Sequence, residues 1–240
     1  MVINDAINMT MSVLESASKT PSIRKVIVTS SSAAATQLTL DEAHDLTPDS
    51  WNDTAVKLAW SGEPQPYMIY AASKTQAEKE IWKFVSEQKP HFVVNTVLPD
   101  FVCGPPLSTE HQGYPTSIGL FKMIWDGQPG EVGWYLLQGQ WMIDAGDMAR
   151  LHVAALIHPD AKSERIFGYG HRKTWTEWIK LLKQWYPDRK FPQPMPHESV
   201  DLSNVTARPN AEYYLKWLHG KGFKPMDESI QETIESFPKD

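Results

Sequence analysis

The chain has 240 residues, 41% of them hydrophobic and 22% charged, which is ordinary for a globular protein with a buried core. Its net charge of −6 argues against nonspecific nucleic-acid binding, and no apolar run approaches the length of a membrane span. A single cysteine, Cys103, excludes an internal disulfide and fits a reducing compartment. The first residues include no basic segment, so we expect no signal peptide and a cytoplasmic location.

The first part of the chain predicts helices alternating with buried strands. Helical spacing of apolar residues predicts a helix over 3–18, and the run 26–28 predicts a short buried strand. After a polar, irregular stretch at 36–66, residues 70–86 predict an amphipathic helix that Pro90 stops, followed by a buried strand over 92–98. A strand, a helix and a second strand in this order predict a right-handed parallel crossover and therefore an α/β fold.

The pattern changes after Gly104, where loops and aromatic residues become frequent. A short helix is expected over 117–125, a third strand at 142–143, and a helix over 147–156 with Asp147 near its N-terminus. A short strand at 166–169 and an amphipathic helix over 174–186, with Thr174 as its N-cap, come next. Two helices, at 209–219 and 226–236, close the chain.

The clearest chemical signal is Tyr70, followed four residues later by Lys74. A tyrosine protonates an alkoxide efficiently only if its pKa falls from about 10 toward neutrality, and an ammonium one helical turn away favours that shift. The same spacing also joins Tyr169 to Lys173 and Tyr186 to Lys190, so spacing alone decides little. Only Tyr70 and Lys74 occupy a long predicted helix between two buried strands, which favours this pair.

Three consecutive serines, Ser30, Ser31 and Ser32, end the first predicted strand and leave open which of them takes part in catalysis. A serine hydroxyl beside the tyrosine would hold a substrate carbonyl oxygen. No Gly-x-Ser-x-Gly elbow surrounds these serines, which argues against an acyl-transfer hydrolase. The histidines are scattered and no cysteine cluster exists, so we expect no metal site.

Five stretches, in the right order, make the chain resemble an extended short-chain dehydrogenase/reductase of the NAD-dependent epimerase/dehydratase family, within its dihydroflavonol-reductase-like group. These stretches are Lys25–Ser31, Ser50–Asn52, Tyr70–Glu78, Leu98–Pro105 and Met142–Arg150.

The resemblance implies roles for particular residues. Tyr70 would be the general acid, Lys74 its partner and Ser31 the third member. Pro99 and Val102 would border the nicotinamide of NADP(H), and Ser117 would contact cofactor phosphate. The aromatic residues that fall in the region of the family's substrate pocket are Trp134, Tyr135 and Trp141.

The resemblance also exposes a departure, because the family's glycine-rich dinucleotide loop precedes the helix that starts here near Ile3. We therefore expect an incomplete Rossmann-type parallel sheet that lacks the family's first four strands and its glycine loop. The chain would then be N-terminally truncated relative to the family, and its nucleotide binding would be weakened. The glycines of 127–133 have a similar spacing but follow a helix rather than a strand, so we interpret them as a loop.

Two domains are expected: residues 1–104 as the later part of a Rossmann-like domain, and 105–240 mainly as a C-terminal substrate-binding α/β lobe, with a returning segment near 141–157. The favoured function is NADPH-dependent reduction of a ketone or aldehyde group on a small hydrophobic or aromatic metabolite. One alternative is a cofactor-independent isomerase, dehydratase or cyclase that reuses the Tyr/Lys/Ser site. Another is a non-catalytic remnant. The free edge of the first strand is an aggregation hazard and leaves three outcomes open: a second copy or another partner covers it, the sheet is rearranged, or the sequence is a shortened product that is inactive alone.

Overall fold

The computed structural model describes residues 2–128, 138–195 and 197–238. The helices within these ranges are α1 Val2–Ser18, α2 Asp53–Ala59, α3 Pro66–Gln88, α4 Thr109–Gln112, α5 Thr116–Trp125, α6 Ala145–Ile157, α7 Trp175–Trp185, α8 Arg208–His219 and α9 Met226–Glu235. The strands are β1 Lys25–Thr29, β2 Asp45–Leu46, β3 Val93–Pro99, β4 Phe101–Cys103, β5 Gln140–Asp144, β6 Arg165–Gly168, β7 His171–Lys173 and β8 Asn204–Val205.

The main sheet is parallel and has the order β1-β3-β6. Val28 pairs with Thr96 between β1 and β3, and Val97 pairs with Ile166 between β3 and β6. Continuous apolar runs form these strands because helices cover both faces of the sheet. The predicted α/β class and incomplete Rossmann-type sheet are confirmed. Strand β1 lies at an edge, and within the described residues only β3 pairs with it.

Two hydrophobic clusters hold the helices on this sheet. On one face, Leu14 of α1 and Ile81 of α3 pack with Val94 of β3. On the other face, Leu151 of α6 packs with Val97 of β3 and with Ile166 of β6. Burial of each such side chain contributes about 1.5–3 kcal/mol. This packing fixes the carboxyl ends of β1 and β3 relative to α3, which contains Tyr70.

Helix α3 is longer at its N-terminus than its apolar pattern predicts. It begins at Pro66, where the fixed φ of proline suits the first helical position, so Tyr70 lies one turn inside the helix. It ends at Gln88, and Lys89 takes a left-handed φ of 43° before Pro90. Proline disfavours helical backbone at the residue before it, which explains why the helix stops there.

A second sheet has the order β4-β5-β7 and contains the segment expected as a third strand. Strand β5 pairs in parallel with β4 and antiparallel with β7, so the third strand of the main sheet is β6 instead. Helix α6 follows β5 directly. Its N-cap is Asp144, whose carboxylate accepts hydrogen bonds from the backbone N–H groups of Gly146 and Asp147.

The remaining helices enclose an aromatic core. The Trp175 and Trp178 rings of α7 pack around Phe121 of α5, with centroid distances of 4.9 and 6.2 Å. Thr174 caps α7 in a capping box with Glu177, which confirms the predicted cap. The division into domains at 104 stays a prediction.

The stretch 36–66 is more ordered than its composition indicates. It contains α2, which Asn52 caps through a hydrogen bond from the Ala55 N–H, and strand β2, which pairs with β8. Strand β2 has only two residues, and its partner lies more than a hundred residues away, so local sequence gives little sign of it. In the described part of the chain, no helix is both long and apolar enough to cross a membrane.

Candidate active site

The three serines that follow β1 point to three different partners. Ser30 Oγ donates to Glu78 at 2.6 Å, and Ser32 Oγ donates to Asp100 at 3.4 Å. Ser31 Oγ accepts a hydrogen bond from Tyr70 Oη at 3.3 Å. The geometry therefore distinguishes the three hydroxyls that the sequence leaves equivalent, and Ser31 is the one beside Tyr70.

Ser31 is held in place by its own backbone turn. It is the N-cap of the 3-10 turn Ser32–Ala34, and its Oγ accepts from the Ala33 N–H at 3.2 Å. The hydroxyl is thus an acceptor for two groups and keeps its own proton for a third. Ser31 is 6% exposed and Tyr70 is 45% exposed, so the pair lies where a buried hydroxyl meets the surface.

Lys74 follows Tyr70 by one turn of α3, which places both side chains on the same side of the helix. A cavity of about 90 Å³ beside the edge of β1 is lined by Lys74, Thr29 and Ser73, together with residues of α1. Loss of hydration lowers the pKa of Lys74, and the Glu78 charge opposes that shift. The Lys74 ammonium makes no hydrogen bond or ion pair with any other described residue.

Glu78, one turn beyond Lys74, is the centre of a buried polar network and is 1% exposed. Its Oε1 accepts from Thr96 Oγ1 at 2.7 Å, from Arg165 Nε at 2.8 Å and from Trp82 Nε1 at 3.3 Å, while its Oε2 accepts from Ser30 and from Arg165 Nη2. This carboxylate therefore links all three strands of the main sheet to α3.

A second group of polar side chains lies beside Ser32. Asp100 follows β3, Tyr169 follows β6, and Asp201 lies near β8. Loss of hydration and the Asp201 charge raise the pKa of Asp100 to about 8. Tyr169 is completely buried, and its hydroxyl has no hydrogen-bond partner among the described residues. Burial, followed by the charges of Asp100 and Asp201, raises the pKa of Tyr169 well above its ordinary value, and the nearby Ser32 hydroxyl opposes this shift.

The residues that the resemblance assigns to the cofactor fall in two places. Pro99 and Val102 are partly exposed near the carboxyl end of β3, close in sequence to Asp100. Ser117 lies in the first turn of α5, which packs against β4 and α9, and no described contact joins it to Ser31, Tyr70 or Lys74. Trp141 packs 6.2 Å from Tyr169, while Trp134 and Tyr135 lie outside the described residues.

Sequence reasoning did not single out Glu78, Arg165, Asp100, Asp201 or Tyr169 for the site. Glu78 had a signal, because it follows Lys74 by four residues on the same helix and belongs to one of the family-like stretches. The others come from segments far apart in the chain. The competing Tyr169–Lys173 spacing is not helical, since Tyr169 is buried at a strand end and Lys173 belongs to β7. Among the described residues, no group of three or more His, Cys, Asp or Glu side chains forms a metal site.

A parallel α/β sheet with a serine beside its edge strand, and with a tyrosine and a lysine one turn apart on the next helix, is the arrangement of short-chain dehydrogenases/reductases. Aldehyde reductase 2 of Sporidiobolus salmonicolor is 32% identical over 98% of this chain and 69% of its own length. The NAD-dependent epimerase/dehydratase terH of Aspergillus terreus is 31% identical, with the same coverage. The chain belongs to the NAD-dependent epimerase/dehydratase family of short-chain dehydrogenases/reductases, an oxidoreductase family.

Solved structures agree on the fold. Gre2 from Candida albicans superposes with a TM-score of 0.79 at 25% identity, over 96% of this chain and 70% of that one. Vestitone reductase from alfalfa superposes with a TM-score of 0.75 at 20% identity, which shows likeness of fold alone. No family model matches the sequence.

Proposed function

We propose that this chain contains the catalytic and substrate-binding part of an NADPH-dependent reductase of ketones or aldehydes on small hydrophobic or aromatic metabolites. The observation that supports this most directly is the hydrogen bond between Tyr70 and Ser31, with Lys74 one turn away on the same helix. Relatives named aldehyde reductase, ketoreductase and anthocyanidin reductase favour the same chemistry.

The proposed reaction begins with a substrate carbonyl oxygen inserted between Tyr70 and Ser31. Their mutual hydrogen bond is long, at 3.3 Å, and a carbonyl oxygen would replace it by accepting from both hydroxyls. Ser31 can donate to this carbonyl oxygen because its hydroxyl acts only as an acceptor toward the described residues, from the Ala33 N–H and from Tyr70. Two donors then face the oxygen on which negative charge develops.

Tyr70 is the proposed proton donor to that oxygen, and the Lys74 ammonium stabilises the phenolate that remains. Lys74 suits this role because burial has removed part of its hydration and no described carboxylate pairs with it. Glu78, one turn away, accepts hydrogen bonds from five donors other than Lys74, so it acts on the ammonium only through its charge, which opposes the lowering of the Lys74 pKa.

The nicotinamide end of NADPH fits the residues on the carboxyl side of the sheet. Pro99 and Val102 offer partly exposed apolar surface there, and the Lys74 ammonium, which pairs with no described side chain, matches the hydroxyls of a ribose. When bound, this cofactor supplies a hydride to the carbonyl carbon. The described residues include no glycine-rich turn between a strand and a helix to hold its diphosphate.

We further propose that the segment that binds the diphosphate also covers the edge of β1. This segment would come either from polypeptide outside these residues or from a partner. The edge is flanked by a groove of about 440 Å³ lined by Val13, Ala17, Ile23 and Val26, which is apolar enough to bury a further element. The curated relatives are longer, and this chain spans 69% of the first two.

The test is NADPH consumption with benzaldehyde and acetophenone, measured for this chain and for a fusion that adds, upstream, the part of the Sporidiobolus relative that this chain does not match. We expect turnover by the fusion and weaker turnover by the chain alone. Tyr70→Phe should lower kcat of the fusion by about 100-fold or more, because the proton donor is lost.

The matched control is Tyr213→Phe, because Tyr213 on α8 is similarly exposed, at 52%. This control should leave turnover unchanged. A folded fusion that consumes no NADPH with either carbonyl compound would contradict the proposal. Exchange of the acetophenone methyl hydrogens with deuterated water, without NADPH and dependent on Tyr70, would favour the cofactor-independent alternative instead.

A further inference from the structure

The polar group beside Ser32 has no part in the proposed reaction, although it lies at the same edge of the sheet. Asp100 directly follows β3 and Tyr169 directly follows β6, and these strands are parallel neighbours. The carboxyl ends of parallel strands are where α/β proteins bind ligands. Asp201 is buried and also close, since its charge acts on both Asp100 and Tyr169.

The Tyr169 hydroxyl is the feature that points to a ligand. Its side chain is completely enclosed, and no described group meets the geometry of a hydrogen bond with the hydroxyl. Ser32 lies close enough to lower the pKa of the phenol, but its own proton is donated to Asp100. Buried phenol hydroxyls normally have a partner, because an unsatisfied buried polar group is unfavourable. The Asp201 carboxylate already accepts from the Ser203 N–H, and Ser32 donates to Asp100. The Tyr169 phenol is therefore a hydrogen-bond donor without an acceptor among the described residues, and it lies near the carboxyl groups of Asp100 and Asp201.

The group borders the Tyr70–Ser31 pair, and two of its members are partly exposed. Asp100 is partly exposed, and Ser32 is the immediate neighbour of Ser31. The ring of Tyr67 lies 6.3 Å from the ring of Tyr70 and is also close enough to Tyr169 to influence its ionisation. A molecule held by Tyr70 and Ser31 would therefore lie next to this group.

We propose that Ser32, Asp100, Tyr169 and Asp201 form a subsite that binds a hydroxyl group of the substrate, close to the carbonyl that is reduced. The position of this subsite beside a carbonyl that is reduced rests on the proposed function. A hydroxyl fits because it accepts from the Tyr169 phenol and donates to a carboxyl oxygen at the same time. An ammonium group only donates, and would leave the phenol proton without an acceptor.

The probes are benzoin and deoxybenzoin, two aromatic ketones that differ by one hydroxyl next to the carbonyl. Binding is measured by titration calorimetry on the full 240-residue chain without cofactor. Benzoin should bind about tenfold more tightly, as expected when a buried donor and acceptor are both satisfied. Tyr169→Phe and, separately, Asp100→Ala should abolish that preference while leaving deoxybenzoin affinity within about twofold.

Tyr214→Phe is the matched control, because this buried tyrosine donates to Glu164, at a separate place on α8, and should not change the preference. Equal affinity of the unaltered chain for the two ketones would overturn the subsite, as would failure of a folded chain to bind either. Tighter binding of desylamine, the amine analogue of benzoin, would overturn the assignment to a hydroxyl.

The two proposals fail separately. A preference for benzoin without any NADPH consumption by the fusion would contradict the reductase and retain the subsite. NADPH consumption with equal affinity for benzoin and deoxybenzoin would contradict the subsite and retain the reductase.

Discussion

Glu78 and Asp100 are two carboxyl groups that accept hydrogen bonds from the first and the third serine of the same trio, yet their surroundings are opposite. Glu78 accepts five hydrogen bonds, two of them from the guanidinium of Arg165, and is almost completely buried. Asp100 is partly exposed and lies near Asp201 and Tyr169. Its carboxyl group has neutral donors, Ser32 Oγ and the Phe101 N–H, and no ion pair with a described cation.

The comparison shows how burial and the neighbouring charges distinguish Glu78, which holds α3 on the sheet, from Asp100, which has hydrogen-bonding capacity left. A carboxylate with a cation and every lone pair occupied has no remaining capacity for a ligand, and it fixes the elements that meet there. Loss of hydration, and then the charge of the neighbouring Asp201 carboxylate, favour the neutral form of Asp100 and so raise its pKa. Arg165 is what distinguishes the two places.

The largest expected effect comes from removing the charge of Glu78, which pairs with Arg165. Glu78→Gln should destabilise the fold by about 3–5 kcal/mol, because the buried Arg165 guanidinium loses its counter-charge. Urea unfolding followed by tryptophan fluorescence measures this change. In the double variant Glu78→Gln/Arg165→Met, which removes both charges, part of the stability should return. A loss below about 1 kcal/mol for the single variant would mean that the network does not anchor the sheet.

Asp100 should give a smaller effect that depends on pH. Its folded pKa of about 8 lies above its unfolded value near 3.8, so the folded chain retains a proton that the unfolded chain releases between these values. The stability associated with this proton is complete below pH 4 and is lost as pH rises through 8. Asp100→Asn should therefore stabilise the chain relative to the wild type by about 2 kcal/mol more at pH 8 than at pH 5, after discounting for partial exposure.

Paired urea titrations at the two pH values test this expectation. Asp49→Asn serves as the control, since Asp49 is exposed on the loop before α2. The same pH dependence of stability in the Asp100 variant as in the wild type would show that this carboxyl is ionised in the folded chain.

The smallest effect should come from an ion pair at the surface. Lys79 lies on α3 directly after Glu78 and pairs with Asp53 of α2, and both side chains are well exposed. Lys79→Met should change stability by less than about 1 kcal/mol, because water and salt screen exposed pairs. Differential scanning calorimetry measures this change in stability. An effect as large as that of Glu78→Gln would show that buried and exposed charges contribute equally here.

Sequence alone determined the local features of this protein. Apolar runs predicted β1 and β3, helical spacing predicted α1 and α3, and Thr174 predicted the start of α7, because these signals arise from residues close together in the chain. The Tyr70–Lys74 pair was found for the same reason, since one helical turn fixes its spacing.

Tertiary structure decided the rest. Which serine faces Tyr70 depends on the turn after β1, and the place of β5 depends on pairing with β4 and β7. The charge on Glu78 is balanced by Arg165, and the proton on Asp100 is favoured by Asp201, each from a segment far along the chain. Spacing along a chain cannot reveal such partners, because the pairing of distant segments is set by how strands and helices pack against one another.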